Sequence, residues 1–137
     1  MKLAIVGSRE FTDYNFVRDQ ILQYLDDTGK TIDSIECIIS GGARGVDKLG
    51  EKFAYEYHIS IKVFEAEWDN LTTTKPIKIR TNKYGKEYNV LAGFNRNLDI
   101  VLYVDVILAF WDGVSKGTKS TIDTAKEYKK VCKVIGV

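Results

Sequence analysis

Cysteine, histidine and proline are nearly missing from this chain, and each scarcity removes a class of protein. Two cysteines, Cys37 and Cys132, cannot build a disulfide framework. Together with the one histidine, His58, they are too few and too scattered to make a metal site, so no metal is expected. Both cysteines sit in apolar segments and read as buried free thiols. A single proline, Pro76, beside 45% apolar and 28% charged residues excludes a disordered or low-complexity chain. No apolar run approaches the ~18 to 20 residues of a membrane span. The segment Met1–Gly7 enters strand-like sequence without the apolar length of a signal peptide, so a cytoplasmic protein with no membrane partner is expected. Charge of either sign is not in excess: 20 Lys and Arg face 19 Asp and Glu, net +1, which gives no global field for nucleic acid.

What is present is a regular alternation of apolar runs and helical periodicities. Leu3–Val6 reads as a buried strand, followed by a helix capped by Thr12 or Asp13 with Tyr14, Val17, Ile21, Leu22 and Leu25 on one face. Glu36–Ile39 is the second strand, Gly45–Tyr57 the second helix, and Ser60–Phe64 the third strand. Val90–Tyr103 reads as a helix with Leu91, Phe94, Leu98, Val101 and Leu102 inward. Val104–Phe110 is the most apolar strand and is placed centrally. Thr118–Val131 is the last helix, with Ile122, Ala125 and Tyr128 inward, and Val134–Val137 closes as an edge strand. Strands alternating with helices of this length predict parallel βαβ units in a Rossmann-like open sheet of about five strands. The 137 residues suffice for one domain, 1–137. Residues 70–89 interrupt the alternation: Ile77–Thr81 and Lys86–Val90 flank the turn sequence Asn82-Lys83-Tyr84-Gly85, which predicts an inserted β-hairpin or lid.

Three glycine-bearing loops follow predicted strands. They are Gly7-Ser8-Arg9-Glu10-Phe11, Ser40-Gly41-Gly42-Ala43-Arg44-Gly45, and Trp111-Asp112-Gly113-Val114-Ser115-Lys116-Gly117-Thr118. In a parallel sheet the carboxyl ends of all strands share one rim, and ligands bind there where the winding reverses. The three loops are therefore expected to line one crevice. The second loop opens a helix, where main-chain N–H groups and about half a positive charge favour an anion. Arg9, Arg44 and Arg96 offer side-chain partners for a phosphate, and Gly117-Thr118 opens a second such helix. The pattern is neither Walker A nor Gly-x-Gly-x-x-Gly. Thr118 serves equally as an ordinary N-cap, and Asp47 as a partner for its own helix dipole. His58, near a helix end, reads as a C-terminal helix partner rather than a base.

These stretches, with Val46-Asp47, Ala54, Glu67-Trp68, Ala92-Gly93-Phe94-Asn95-Arg96-Asn97 and Ala109-Phe110, resemble the SLOG superfamily, which includes relatives of Smf/DprA and of the LOG phosphoribohydrolases. The likeness runs over nearly the whole chain and is to the short YpsA/YspA-like branch. It implies a Rossmann-like fold and a nucleotide or nucleotide-derived ligand, of ADP-ribose, NAD or nucleoside-phosphate type, with no other cofactor identified. Its phosphate would lie at the Gly loops and Gly117-Thr118, its ribose and base nearer the first loop and Asp47, with Arg96-Asn97 approaching. Two departures stand out. The family passes quickly from the Glu/Asp-Trp segment to the Ala-Gly-x-x-Arg-Asn segment, whereas Asn70–Asn89 intervenes here. The glutamate of the LOG motif aligns with Thr121, which has no carboxylate, so N-glycosidase chemistry is not inherited through that position.

Three functions are weighed. The leading expectation is a nucleotide-binding sensor, carrier or sequestering protein. The alternative is a nucleoside-phosphate N-glycosidase using a displaced carboxylate such as Asp47, Glu51, Asp99 or Asp112, none of which the sequence singles out. The third is single-stranded nucleic acid held by the hairpin, where Lys75, Lys78, Arg80, Lys83 and Lys86 accompany Tyr84 and Tyr88 against Glu87 alone. Nucleic acid ranks below the small molecule, and Trp68 and Trp111 read as crevice wall before they read as stacking platforms. The hairpin also offers a surface for a homo-oligomer.

Overall fold

A computed structural model describes residues 1–137. Its sheet begins with β1 (Lys2–Gly7), and after α1 (Tyr14–Asp27) the chain continues through β2 (Cys37–Ser40), α2 (Val46–Glu56) and the edge strand β3 (Ser60–Val63). An inserted pair, β4 (Ile79–Thr81) and β5 (Glu87–Asn89), precedes α3 (Ala92–Tyr103), β6 (Val106–Trp111), α4 (Lys116–Glu127) and β7 (Val131–Gly136). The five-stranded order is β3-β2-β1-β6-β7 with every pairing parallel. This is the α/β, Rossmann-like architecture expected, and the winding reverses between β1 and β6.

The apolar strands explain the layering. Successive side chains point to opposite faces, so a strand buried on both faces is apolar throughout. Leu3, Ile5, Ile38, Leu108 and Phe110 pack with Val17, Ile21, Leu25 and Phe53 of α1 and α2. Their neighbours Ala4, Val6, Ile39, Ile107 and Ala109 pack with Ile100 and Val101 of α3 and Ile122 and Ala125 of α4. Asp13, rather than Thr12, caps α1, its Oδ1 accepting the Phe16 N–H at 3.1 Å. Such a cap contributes about 1 kcal/mol.

Three expectations about packing are corrected. α3 buries Ala92, Asn97, Ile100 and Val101, while Phe94 and Leu102 are 48% and 50% exposed. The helix carries two apolar stripes, and the sheet takes the one that also turns Asn97 toward the strand ends. Tyr128, expected inward, is the C-cap of α4 and is exposed beside Phe94 and Leu98 in a shallow depression. Cys132 is only half-buried because β7 is an edge strand, and neither thiol is paired. The middle strand is β1, with β6 beside it. No helix is long and apolar enough to cross a membrane.

The insertion is a hairpin standing beside the sheet. Ile79 pairs with Asn89 in antiparallel register. Its turn is held by Asn82, whose Oδ1 accepts from the N–H groups of Tyr84 and Lys86 at 2.8 and 3.0 Å. Asn89, buried, ties it to the body: its N–H donates to Trp68 O, and its Oδ1 accepts from the Lys78 and Leu91 N–H groups. Ion pairs of Lys75 with Asp99 and Lys86 with Asp69 add to the seam.

Candidate functional site

The first two loops are locked together by backbone contact. Gly45, at φ +77°, precedes α2, and a Cβ there would lie 2.3 Å from Ser8 O and 2.6 Å from Arg9 C. Only glycine accommodates both the conformation and the approach. The Val46 N–H then donates to Ser8 O at 3.1 Å, while the Ser8 N–H donates to Phe110 O at 3.0 Å. Loop one is thus fastened to loop two on one side and to β6 on the other.

Asp47 is the charged group at the centre. It is buried in the first turn of α2; its Oδ2 accepts from the Ala43 N–H at 3.4 Å, and the main-chain N–H groups of Gly7 and Gly41 also favour its charged form. A Cβ on Gly41 would come within 2.7 Å of Asp47 Oδ2, so this glycine is what lets the carboxylate enter the loop. Burial pushes its pKa up to about 6, against the downward pull of nearby Arg96 and the three N–H donors. The Arg96 guanidinium donates to Gly41 O, to Phe64 O at 3.4 Å and to Asn97 Oδ1 at 2.9 Å. Its own pKa is lowered by burial. Asn97 Nδ2 donates to Gly117 O at 3.3 Å, so α3 clamps loop two with one residue and the start of α4 with the next.

The start of α4 is built differently. Asp112 makes the turn before it, its Oδ1 accepting from the Val114 and Ser115 N–H groups at 2.9 and 2.7 Å. Those bonds hold its pKa below the usual carboxylate range. No side chain caps the helix, and the N–H groups of Lys116, Gly117 and Thr118 have no partner. Thr118 Oγ1 lies 3.4 Å from Ser115 Oγ.

These parts meet in a hollow of about 60 Å³ lined by Gly7, Arg9, Gly41, Ala43, Asp47, Arg96, Asn97, Ser115, Gly117 and Thr118, with Val6, Ile100 and Thr121 as floor. All three loops contribute to it. An open groove of about 510 Å³ adjoins it, sharing Arg9, Gly41, Ala43 and Arg96 and adding Gly42, Arg44, Glu65, Ala66 and Trp68. None of residues 70–89 lines either space. Thr73, Lys75 and Asn89 instead line a neighbouring cavity of about 210 Å³ against α3, which shares Glu65 and Arg96 with the groove.

Other candidates sit outside the hollow, for visible reasons. Arg44 reaches away to Glu10 Oε1 at 2.5 Å and is 72% exposed, so it borders the groove only. Phe11 packs edge-on against Phe16 in the core. Ser8 and Ser40 are buried behind their loops, Ser40 Oγ donating to Glu51 and accepting from the Gly42 N–H. Trp111 Nε1 donates to Ser115 O, bracing the third loop, and Gly113 lies in its turn at φ +85°. Among the carboxylates weighed for catalysis, only Asp47 reaches the hollow; Glu51 serves Ser40, Asp99 pairs with Lys75, and Asp112 holds its own turn. Left out of the sequence candidates were Glu65 and Ala66, which follow an exposed edge strand and carry no motif of their own.

Residues 1–70 match the family model described as YAcAr: YspA, cpYpsA-related SLOG family. No curated protein matches the chain. Among solved structures, DNA processing protein A (DprA) of Streptococcus pneumoniae superposes with a TM-score of 0.68 at 18% identity, over 97% of this chain and 49% of that one. DNA processing protein A of Helicobacter pylori, whose structure was determined for its mode of binding single-stranded DNA, gives 0.61 at 20% identity, over 98% and 64%. The chain therefore spans about half of the first of these structural relatives and just under two thirds of the second, and the likeness is one of fold.

Proposed function

Because the chain belongs to the YspA, cpYpsA-related SLOG family, we propose that it binds a nucleotide or nucleotide-derived molecule through its phosphate at the start of α4. The observation that carries this reading is the unpartnered start of α4, whose Gly117 and Thr118 line the hollow together with Arg9. Free N–H groups at a helix N-terminus attract anions, and an arginine beside them adds a charge-assisted partner. In this reading the hollow of about 60 Å³ takes the phosphoryl group, and the nucleoside extends into the adjoining groove. Isothermal calorimetry with AMP, ADP and ADP-ribose tests the proposal. Binding to at least one, weakened in Arg9→Ala, supports it; no heat with any of them removes it. Chromatography of the same mixtures for free base separates a binder from an N-glycosidase: base released by the native chain and not by Asp47→Asn would make it an enzyme.

A second reading has its own observation. Lys78, Arg80 and Lys83 form no ion pair, and Tyr84 at the hairpin tip is 82% exposed. Cations beside an open aromatic ring suit single-stranded nucleic acid, and the Helicobacter pylori relative binds single-stranded DNA. A salt-dependent mobility shift that vanishes when all three cations become alanine would support it. A shift unchanged in that triple variant would move any nucleic-acid contact off the hairpin.

A further inference from the structure

One aromatic ring lines the groove, and from it we infer that Trp68 is the stacking wall for the ligand's uncharged aromatic base. The inference rests on the phosphate reading above, which fixes the other end of the molecule. Trp68 is 40% exposed and faces the groove from the segment following β3. Its ring is braced from behind by the first turn of α3: a Cβ on Gly93 would stand 3.1 Å from Trp68 Cη2. Its carbonyl is held by the Asn89 N–H at 2.8 Å. A large aromatic fixed along one edge and open over much of its surface is preorganised for stacking, because little freedom remains to be lost on binding.

Charge decides which part of a ligand can lie there. Glu65 lines the groove with Trp68 and forms no ion pair, Asp69 is neutralised by Lys86, and Glu67 lines the neighbouring cavity with Lys75. Arg9 and Arg96 line both the groove and the hollow, whereas the open helix start lines the hollow alone. A phosphate beside Trp68 would share the groove with the Glu65 carboxylate and forgo the helix start, while an uncharged base meets neither cost. The hollow and the groove share four residues, so one molecule can occupy both, phosphate inward and base outward.

The test compares ribose 5-phosphate with AMP, which add the same phosphate with and without a base. Calorimetry on the native chain should give tighter binding for AMP. Trp68→Ala should weaken AMP roughly tenfold, within the range for one base on one aromatic ring, and leave ribose 5-phosphate unchanged. Trp68→Phe should retain most AMP affinity, and the emission quenching that AMP causes in the native chain should be lost from it. Equal affinities for the two probes, unquenched emission on AMP binding, or a Trp68→Ala variant that binds AMP normally would overturn the base subsite while leaving the phosphate reading intact. If Trp68→Ala does not fold, the native comparison and the quenching decide alone. Failure of both probes to bind would end both proposals.

Discussion

The two glycine-bearing turns into helices on the carboxyl rim look alike in sequence and differ in what fills the turn. In the turn before α2 the Asp47 carboxylate folds back onto the Ala43 N–H, and the leading Val46 N–H is taken by Ser8 O. At α4 the three leading N–H groups of Lys116, Gly117 and Thr118 are free. A glycine-rich turn into a helix creates a place for negative charge, but the chain can fill that place itself. In the first case the turn serves architecture, fastening β1, β2 and α2 around a buried acid; in the second it is left available. The inner phosphate position is accordingly expected at α4, with loop two as a wall.

The sharpest way to separate the two is to add a methyl group to each. Gly45→Ala places a Cβ 2.3 Å from Ser8 O at a backbone angle of φ +77°. Strain and overlap together should cost about 3 kcal/mol or more, read as a lower denaturant midpoint. Gly117→Ala meets nothing within 4 Å. Its stability should stay within about 1 kcal/mol of the native chain, with any loss confined to ligand affinity. Equal destabilisation by the two changes would erase the distinction between an architectural turn and an open one.

Arginines give the next test. Arg9 lines the hollow, whereas Arg44, in the glycine loop itself, is exposed and paired to Glu10. Removing a charge-assisted partner costs about 1.5 to 3 kcal/mol, so Arg9→Ala should weaken AMP by roughly 10- to 100-fold. Arg44→Ala should change affinity less than about threefold, as for other exposed ion pairs. The reverse ranking in calorimetry would return the phosphate to loop two.

That ranking also marks how far the sequence could be read. The sheet was legible because β1 and β6 are apolar without interruption, which a strand covered on both faces demands. The meeting of three loops was legible because parallel strands place their ends on one rim. The face of α3 was not, since Leu91, Phe94, Leu98 and Leu102 make as good a stripe as Ala92, Ile100 and Val101, and only the sheet chooses. Position within a glycine loop favoured Arg44, yet the guanidinium that reaches loop two belongs to Arg96, which donates to Gly41 from 55 residues away. The occupation of loop donors by Asp47 depends on a side chain folding back over one helical turn, which residue types alone do not reveal.

The smallest expected effect is one of pH, and it reports on the same internal anion. Burial raises the Asp47 pKa from 3.8 to about 6, so the fold favours the protonated form. Its contribution to stability is therefore full below about pH 4 and is lost as pH rises through about 6. The hollow follows the same titration. Above pH 6 a phosphate at α4 shares it with the Asp47 carboxylate; below, that repulsion is gone. ADP-ribose suits the measurement because its pyrophosphate diester keeps a constant charge across this range. Its affinity should rise severalfold from pH 8 to pH 5, a change of about 1 kcal/mol, the value for one like charge at close range screened as in water. In Asp47→Asn the profile should be flat, since the amide carries no charge at either pH. A slope that survives in Asp47→Asn would assign the titration to another group and separate the two helix starts electrostatically.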